Sequence, residues 1–370
     1  MDKIKITDHQ LIAITTAFVC GVSTIIISSR VTTIARHDAW ISAIGAMLFG
    51  LLIIWMNTYL GGLYPGKTYV EVIQLLLGKW IGGFIAACFI MMCFIGAPQF
   101  IWYVGDFFTT QYMQETSLYI INILFSSVVV IALLYGIETI ARASEIFFYG
   151  IVIMFILSML LVSPNIDINN ILPVLERGIT PVLRGSLPML AFTVLPTIIL
   201  NMVYPVNVKD IRNAKKSIFV GYMIGMSISF ISVLMCNLVM GSTITASSRF
   251  PVFLLTKEIN VGVIFTRLEA LIVIVWLFTI FNNTVFYFHA GALGLAQLLK
   301  LKDYKSIVLP LGLIMSVFSG FVYKDVIYES KWDTEVWFPY IASFGLILPA
   351  LLLIIFFIKK YIFKMDVYGK

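Results

Sequence analysis

Long stretches without a charged residue alternate with short charged segments along the whole chain. A spanning α-helix needs about 20 apolar residues, and none of these stretches shows the period-2 alternation of a membrane β-strand. The pattern therefore predicts an all-α polytopic membrane protein with about ten transmembrane helices. The ten stretches free of Asp, Glu, Lys and Arg are 9–29, 39–66, 80–105, 116–137, 146–166, 185–208, 217–248, 270–299, 306–323 and 336–358.

The composition of the chain agrees with this pattern. Hydrophobic residues make up 60% of the 370 residues, the mean hydropathy is +0.99, and only 12% of residues are charged, against about 25% in soluble domains. So few charges could not cover a soluble protein of this size. We expect one transmembrane domain over residues 1–370, with pseudo-repeats at about 1–162 and 163–370. The four cysteines lie inside apolar stretches, which favours buried reduced thiols.

The basic residues are distributed unevenly between the two sides of the membrane. An even number of helices puts both termini on one side, and 16 of the 25 Lys and Arg residues fall on that side. Because cytoplasmic segments carry an excess of Lys and Arg, the pattern predicts cytoplasmic termini. The acidic segment Lys324–Glu335 is predicted to be a loop on the opposite side. The net charge of +6 then reflects topology and indicates no nucleic-acid partner.

Two of the ten helices carry residues that interrupt helical hydrogen bonding. Gly21 lies between Cys20 and the small polar residues that follow it in helix one, which is typical either of close helix packing or of a break. Helix six contains Pro188 and Pro196, which indicate either a kinked packing helix or a discontinuous one. Interrupted helices at the same position in two five-helix halves point to a transporter-type site. The candidate ligand-binding residues are Cys20, Gly21, Val22, Ser23, Thr24, Met189, Phe192 and Thr193.

A bulky side chain at Gly21 should fill the space of this candidate site. The sequence predicts that Gly21→Leu weakens the response to a ligand and leaves the helix bundle folded, because only one helix position changes. Four charged residues near membrane depth are candidates for structural or coupling roles. Arg142 and Glu145 are predicted to form an ion pair because they share a helix face, and Arg267 and Glu269 lie near the start of helix eight.

Catalytic and metal-binding patterns are missing from the sequence. It contains no glycine-rich phosphate loop and no nucleophile motif. Its three histidines, His9, His37 and His289, are scattered along the chain. We therefore expect no metal, no cofactor and no enzymatic activity.

Several short segments, taken in order, resemble one known family. The chain resembles the spore germination amino-acid permease family, the B subunits of nutrient germinant receptors, which is similar in turn to the amino acid–polyamine–organocation superfamily. The resemblance covers almost the whole chain, and the order and spacing of the segments carry it. These segments are Ile6–Leu11, Asp38–Ile41, Tyr64–Thr68, Gly136–Ile146, Phe250–Phe253, Arg267–Ala270 and Trp276.

The resemblance implies a fold, two partners and a location. The fold is a five-plus-five inverted-repeat (LeuT-like) core with broken helices one and six. The partners are a germinant receptor A subunit, which is a membrane protein with a large soluble domain, and a lipoprotein C subunit, and the location is the spore inner membrane. Two features depart from the superfamily: helix one lacks a Gly-x-Gly element, and helix six lacks a central acidic residue in Ala191–Val194.

Three functions are compatible with this sequence. The first is a germinant sensor, in which a small nutrient, typically an amino acid, binds at mid-membrane between helices one, three, six and eight and shifts a conformational equilibrium. The second is a secondary transporter that couples amino-acid uptake to an ion, since one architecture serves both roles. The third is a structural scaffold for the A subunit. The sequence identifies neither the nutrient nor the coupling ion.

Overall fold

The computed structural model describes residues 6–257 and 269–362, and this part of the chain is helical apart from short turns and one isolated backbone bridge between Ile6 and Val208. Each predicted apolar stretch is helical over most of its length. The α-helices are α1 (Asp8–Cys20), α2 (Ser23–Ala35), α3 (Ala39–Leu63), α4 (Tyr69–Leu77), α5 (Lys79–Gln111), α6 (Leu118–Tyr135), α7 (Ile137–Val162), α8 (Ile179–Met189), α9 (Tyr204–Asn207), α10 (Ile211–Ser247), α11 (Pro251–Lys257), α12 (Glu269–Leu298), α13 (Lys305–Ser319), α14 (Val326–Lys331), α15 (Trp337–Ala342) and α16 (Leu348–Phe357).

Eight helical runs in the described residues are long and apolar enough to cross a membrane. One of them, Ser23–Leu63, has 41 residues and contains α2 and α3, which belong to two of the predicted helices. The predicted ninth helix, α13, has 15 residues and is shorter than the roughly 20 that a span needs. The prediction of an all-α polytopic membrane protein is therefore confirmed.

The predicted helix one is divided into α1 and α2 by a break. Thr7 begins α1 with a capping box, in which its side chain accepts from the Gln10 backbone N–H and the Gln10 side chain accepts from the Thr7 N–H. The helix ends at Cys20, and Gly21 follows with φ +32. L-residues with a side chain rarely adopt this φ. The sequence thus placed the break correctly at Gly21.

The predicted helix six is irregular without being unwound. It begins as α8, continues as a π-helical segment at Leu190–Val194 and ends as a 3₁₀-helical segment at Leu195–Met202. Pro196 lies in the first turn of the 3₁₀ segment, where its missing N–H removes a helical hydrogen bond. In helix six the interruption is therefore a change from α- to π- and then to 3₁₀-type hydrogen bonding, and the chain stays helical throughout.

Burial separates central helices from peripheral ones. In the most apolar part of Ile179–Met202, 83% of residues are buried within the protein, and in α12 the share is 72%. The corresponding share is only 28% in α6 and in α7, which therefore present most of their surface outward. α1 packs against α7, α10 and α12, so both predicted interrupted helices lie at the centre of the protein.

The acidic segment Lys324–Glu335 differs from its prediction. It is helical over most of its length, with α14 followed by a π-helical segment at Trp332–Val336. Glu329 and Asp333 are buried, with 1% and 4% exposure. The prediction of a loop is therefore wrong for most of this segment. Its two buried carboxylates pair with an arginine more than 290 positions away, a contact that the local charge pattern does not reveal.

Candidate ligand-binding site at the helix break

Hydroxyl groups satisfy the carbonyls that the break leaves without helical partners. Ser23 donates its hydroxyl proton to the carbonyls of Val19 and Cys20, and Thr24 donates to the Cys20 carbonyl at 3.2 Å. Thr279 of α12 donates to the Gly21 carbonyl at 3.1 Å. Because a carbonyl oxygen has two lone pairs, the Gly21 carbonyl retains capacity for one further donor, whereas the Cys20 carbonyl already accepts from two hydroxyls.

The amino end of α2 faces the break without a side-chain cap. Val22 is the N-cap residue, and no side chain accepts a hydrogen bond from the first N–H groups of α2. Uncapped N–H groups at a helix start carry partial positive charge and favour an anionic group such as a carboxylate. The break therefore offers donors on its α2 side and carbonyl acceptors on its α1 side.

Asn283 of α12 closes the break from the side. Its amide group lies against Gly21 so closely that a Cβ atom added to Gly21 would collide with the Asn283 Nδ2. The residue is 1% exposed, and its Oδ1 has no hydrogen-bond partner. An unpaired buried acceptor costs about 1–3 kcal/mol, so this oxygen is suited to receive a donor from a ligand.

The structure brings part of the predicted site together. All five residues from Cys20 to Thr24 are buried at the break. The π-helical segment of helix six packs against α1 and α2, but Thr193 donates its hydroxyl proton to the Met189 carbonyl within the same helix. The Phe192 ring lies 6.1 Å from the Trp337 ring, which directs it toward α15. The assignment of these eight residues to a ligand stays a prediction.

The proposed Gly21→Leu substitution meets an obstacle in the structure. Any side chain at position 21 would collide with the amide of Asn283, and the φ of +32 is unfavourable for residues other than glycine. A leucine would therefore strain the break itself. That the helix bundle as a whole stays folded with leucine at this position stays a prediction.

The sequence placed helix eight, which is α12, beside the ligand, but it identified none of the residues of this helix that reach the break. Thr279, Asn282 and Asn283 lie near the middle of this 30-residue helix and are at most 2% exposed. Polar residues at this depth are costly in a membrane and mark functional or architectural positions. Asn282 donates to the Phe278 carbonyl and accepts from Ser144 of α7, so it has an architectural contact that Asn283 lacks.

A comparison with protein families identifies the chain. The model of a family described as "Spore germination protein" matches residues 5–325. The chain belongs to this family. The family is of the permease type, which is not an enzyme class, and the candidate site of this spore germination protein consists of buried hydroxyl, amide and backbone groups. No cluster of His, Cys, Asp or Glu that could hold a metal ion occurs among residues 6–257 and 269–362.

Two relatives of this spore germination protein from Bacillus subtilis (strain 168) extend over most of its length. Spore germination protein KB is 26% identical over 322 residues, which cover 86% of this chain and 85% of that relative. Spore germination protein YndE is 26% identical over 321 residues, which cover 84% of this chain and 86% of that relative. The chain is thus a germinant-receptor or permease-like membrane protein.

Solved structures similar to this family member have the LeuT-like transporter fold. Mhp1, a nucleobase-cation-symport-1 family transporter solved with bromovinylhydantoin bound, matches with a TM-score of 0.73 at 14% identity, over 99% of this chain and 82% of Mhp1. MhsT, solved in complex with L-phenylalanine, matches with a TM-score of 0.68 at 13% identity, over 96% of this chain and 99% of MhsT. The predicted LeuT-like fold class is confirmed.

The charged residues singled out in this family member pair differently from the prediction. Arg142 pairs with Glu138, one helical turn earlier in α7, at 2.5 Å. Glu145 instead accepts a hydrogen bond from Gln10 at 3.0 Å and pairs with His9 at 3.2 Å. The predicted Arg142–Glu145 pair is wrong because Glu145 faces the start of α1. Glu269 is the first residue of α12, and Arg267 lies outside the described residues.

Proposed function

We propose that this protein is the nutrient-sensing subunit of a spore germinant receptor and binds an amino acid at the break between α1 and α2. One observation carries the proposal: the buried Asn283 Oδ1 has no partner and lies against Gly21, beside the uncapped start of α2. In this arrangement the α2 amides receive the carboxylate of the ligand. Its ammonium group donates to Asn283 Oδ1 and to the Gly21 carbonyl, which accepts one other hydrogen bond, from Thr279.

Ligand binding at this position would bridge α2 and α12. A ligand shifts a conformational equilibrium only by its difference in affinity for the two states. An amino acid that contacts both sides of the break favours the state in which α2 and α12 are closest, and the partner subunits respond to that state. We infer from the family that these partners are the A subunit and the lipoprotein C subunit, in the spore inner membrane, with both termini of this chain cytoplasmic.

The binding site is tested by removing the unpaired acceptor. In purified protein, Asn283→Ala should raise the dissociation constant of the preferred amino acid by about ten- to a hundredfold, because a charge-assisted hydrogen bond contributes about 1.5–3 kcal/mol. Isothermal titration calorimetry over an amino-acid panel measures this constant. Asn282→Ala is the matched control, since it removes the same amide one position along α12. Equal constants for Asn283→Ala and the unmodified protein would place the ligand elsewhere.

The second candidate function is ion-coupled amino-acid transport. The likeness to Mhp1, named as a cation-symport family transporter, and to MhsT with bound L-phenylalanine favours it. Proteoliposomes separate the two functions because a sensor binds the amino acid without accumulating it. Binding without uptake across a sodium or proton gradient supports the receptor, whereas uptake that Asn283→Ala reduces supports the transporter.

A further inference from the structure

An apolar groove lies on the outer surface between α3, helix six and the helical run Val326–Tyr361. Its volume is about 560 Å³, and all the described side chains that line it are hydrophobic. Three of them on α3, Phe49, Leu52 and Trp55, are between 57% and 65% exposed. Exposed apolar surface of this extent marks contact with a partner or with the membrane. In a membrane-spanning protein, the groove is therefore suited to a hydrocarbon chain.

One end of the groove leads to a column of four aromatic rings. Trp55 lines the groove and stacks on Tyr59, one turn later in α3, with 5.6 Å between the ring centres. The Tyr59 ring lies 6.5 Å from the Phe357 ring, which lies 6.0 Å from the Tyr361 ring, and both pairs are stacked. Tyrosine and tryptophan are enriched where the hydrocarbon of a membrane meets the headgroups. The column therefore indicates the headgroup end of the groove.

Two lysines lie over this column from different helices. The Lys215 Nζ of α10 is 5.4 Å from the centre of the Tyr59 ring, and the Lys360 Nζ is 5.3 Å from the centre of the Tyr361 ring. Lys215 lies directly against α3, because a Cβ atom added to Gly62 would collide with its Cε and Nζ. Two positive charges thus lie at the same end of the groove.

The charge of Lys215 is not balanced by an acidic side chain. Within residues 6–257 and 269–362, its ammonium group forms no ion pair and donates no hydrogen bond, although it has three donors. The surrounding residues 209–216 include four basic residues and one acid, Asp210, whose carboxylate accepts from the Arg212 backbone N–H. This end of the groove therefore favours an anionic group.

We propose that the groove and the two lysines form a binding site for one anionic phospholipid. The phosphate accepts hydrogen bonds from Lys215 and lies near Lys360, while an acyl chain passes Trp55 and occupies the groove. Basic residues between helices at the membrane surface bind acidic headgroups. The lysines select an acidic headgroup over a zwitterionic one, and the groove selects a lipid over free phosphate. This site is separate from the helix break and does not depend on the function proposed for it.

The test measures how brominated lipids quench the fluorescence of Trp55. The purified full chain is reconstituted in phosphatidylcholine bilayers with increasing mole fractions of brominated phosphatidylglycerol or brominated phosphatidylcholine. Trp55→Phe gives the signal of the other tryptophans, which is subtracted. Half-maximal quenching of Trp55 should need at least about fivefold less brominated phosphatidylglycerol than brominated phosphatidylcholine, because each lysine near a headgroup contributes about this factor.

Two charge-neutralising variants and one control locate the headgroup. Lys215→Gln should raise the half-maximal mole fraction of brominated phosphatidylglycerol about fivefold, and Lys360→Gln should raise it in the same direction. Lys216→Gln is the matched control, since it makes the same charge change at an exposed side chain one position along α10. It should behave as the unmodified protein does. Inorganic phosphate at constant ionic strength should leave the quenching unchanged.

Four outcomes would overturn the proposal. Equal quenching by the two brominated lipids in the unmodified protein would mean that the groove holds ordinary surrounding lipid. Equal effects of Lys215→Gln and Lys216→Gln would mean that diffuse surface charge attracts the lipid. Displacement by inorganic phosphate would mean that a free anion occupies the basic end. Absence of Trp55 quenching by either lipid would mean that a protein segment covers the groove.

Discussion

Helix α2 contributes to two buried polar regions, the helix break at its start and a charge cluster of Arg30, Glu329 and Asp333. The two regions satisfy their polar groups in opposite ways. At the break, the neutral hydroxyls of Ser23 and Thr24 donate to buried carbonyls three or four residues earlier in the chain. In the cluster, Arg30 reaches carboxylates whose positions in the chain are 299 and 303 residues distant. The hydroxyls of the break find these acceptors within about one helical turn, whereas the cluster depends on the packing of α2 against the distant α14 and the π-helical segment after it. One helix of 13 residues therefore combines neutral, local hydrogen bonds at its start with a long-range ion pair near its middle.

The largest effect should come from removing the one cation that contacts both Glu329 and Asp333. Arg30→Met leaves these two buried carboxylates facing each other, and breaking a buried ion pair costs about 3–5 kcal/mol. We expect a marked loss of monodisperse protein and a lower unfolding temperature in detergent. Arg142→Met is the control because its pair with Glu138 is largely exposed and contributes about 0–1 kcal/mol. Similar losses in both variants would contradict the importance of the cluster.

An intermediate effect is expected at Gly21. Gly21→Ala introduces a Cβ at φ +32 and against the amide of Asn283, so it should destabilise the protein by about 1–3 kcal/mol. Adding Asn283→Ala removes the collision but not the backbone strain. A double-mutant cycle on the unfolding free energy should give a coupling of about 0.5–3 kcal/mol. Strictly additive effects would show that the amide does not contact the break.

The smallest effect should come from Glu145. Its side chain is 36% exposed and contacts Gln10 and His9, and glutamine retains one acceptor for the Gln10 amide. Glu145→Gln should therefore lower the unfolding free energy by less than about 1 kcal/mol. Thermal unfolding beside Glu138→Gln measures this difference. A loss as large as that of Arg30→Met would mean that Glu145 belongs to a buried ionic network.

Much of the fold could be predicted because its signals are local. The charge-free stretches locate the helices, and Gly21 between Cys20 and Ser23 locates the break, since glycine permits the φ that the chain adopts there. Pro188 and Pro196 indicate the irregular path of helix six. Each of these features depends on residues within a few positions of one another.

The rest of the candidate site could not be predicted because its partners are distant in sequence. Thr279 contacts Gly21 across 258 positions, and only the folded arrangement shows that Asn283, not Asn282, faces the break. Charge patterns were misleading for the same reason. A run with four acidic residues predicted a loop, but the segment is largely helical, and its buried Glu329 and Asp333 contact Arg30.

The length of α2 has a mechanical consequence. The helix has 13 residues and lies between two residues with positive φ, Gly21 at +32 and Arg36 at +52. A helix is stiff along its axis, and a change of backbone direction at each end allows α2 to tilt as a rigid body. Ser23 and Arg30 are seven positions apart, which is about 10 Å along the axis. A tilt of α2 at Gly21 would therefore move Arg30 directly, through the helix itself and not through contacts between side chains.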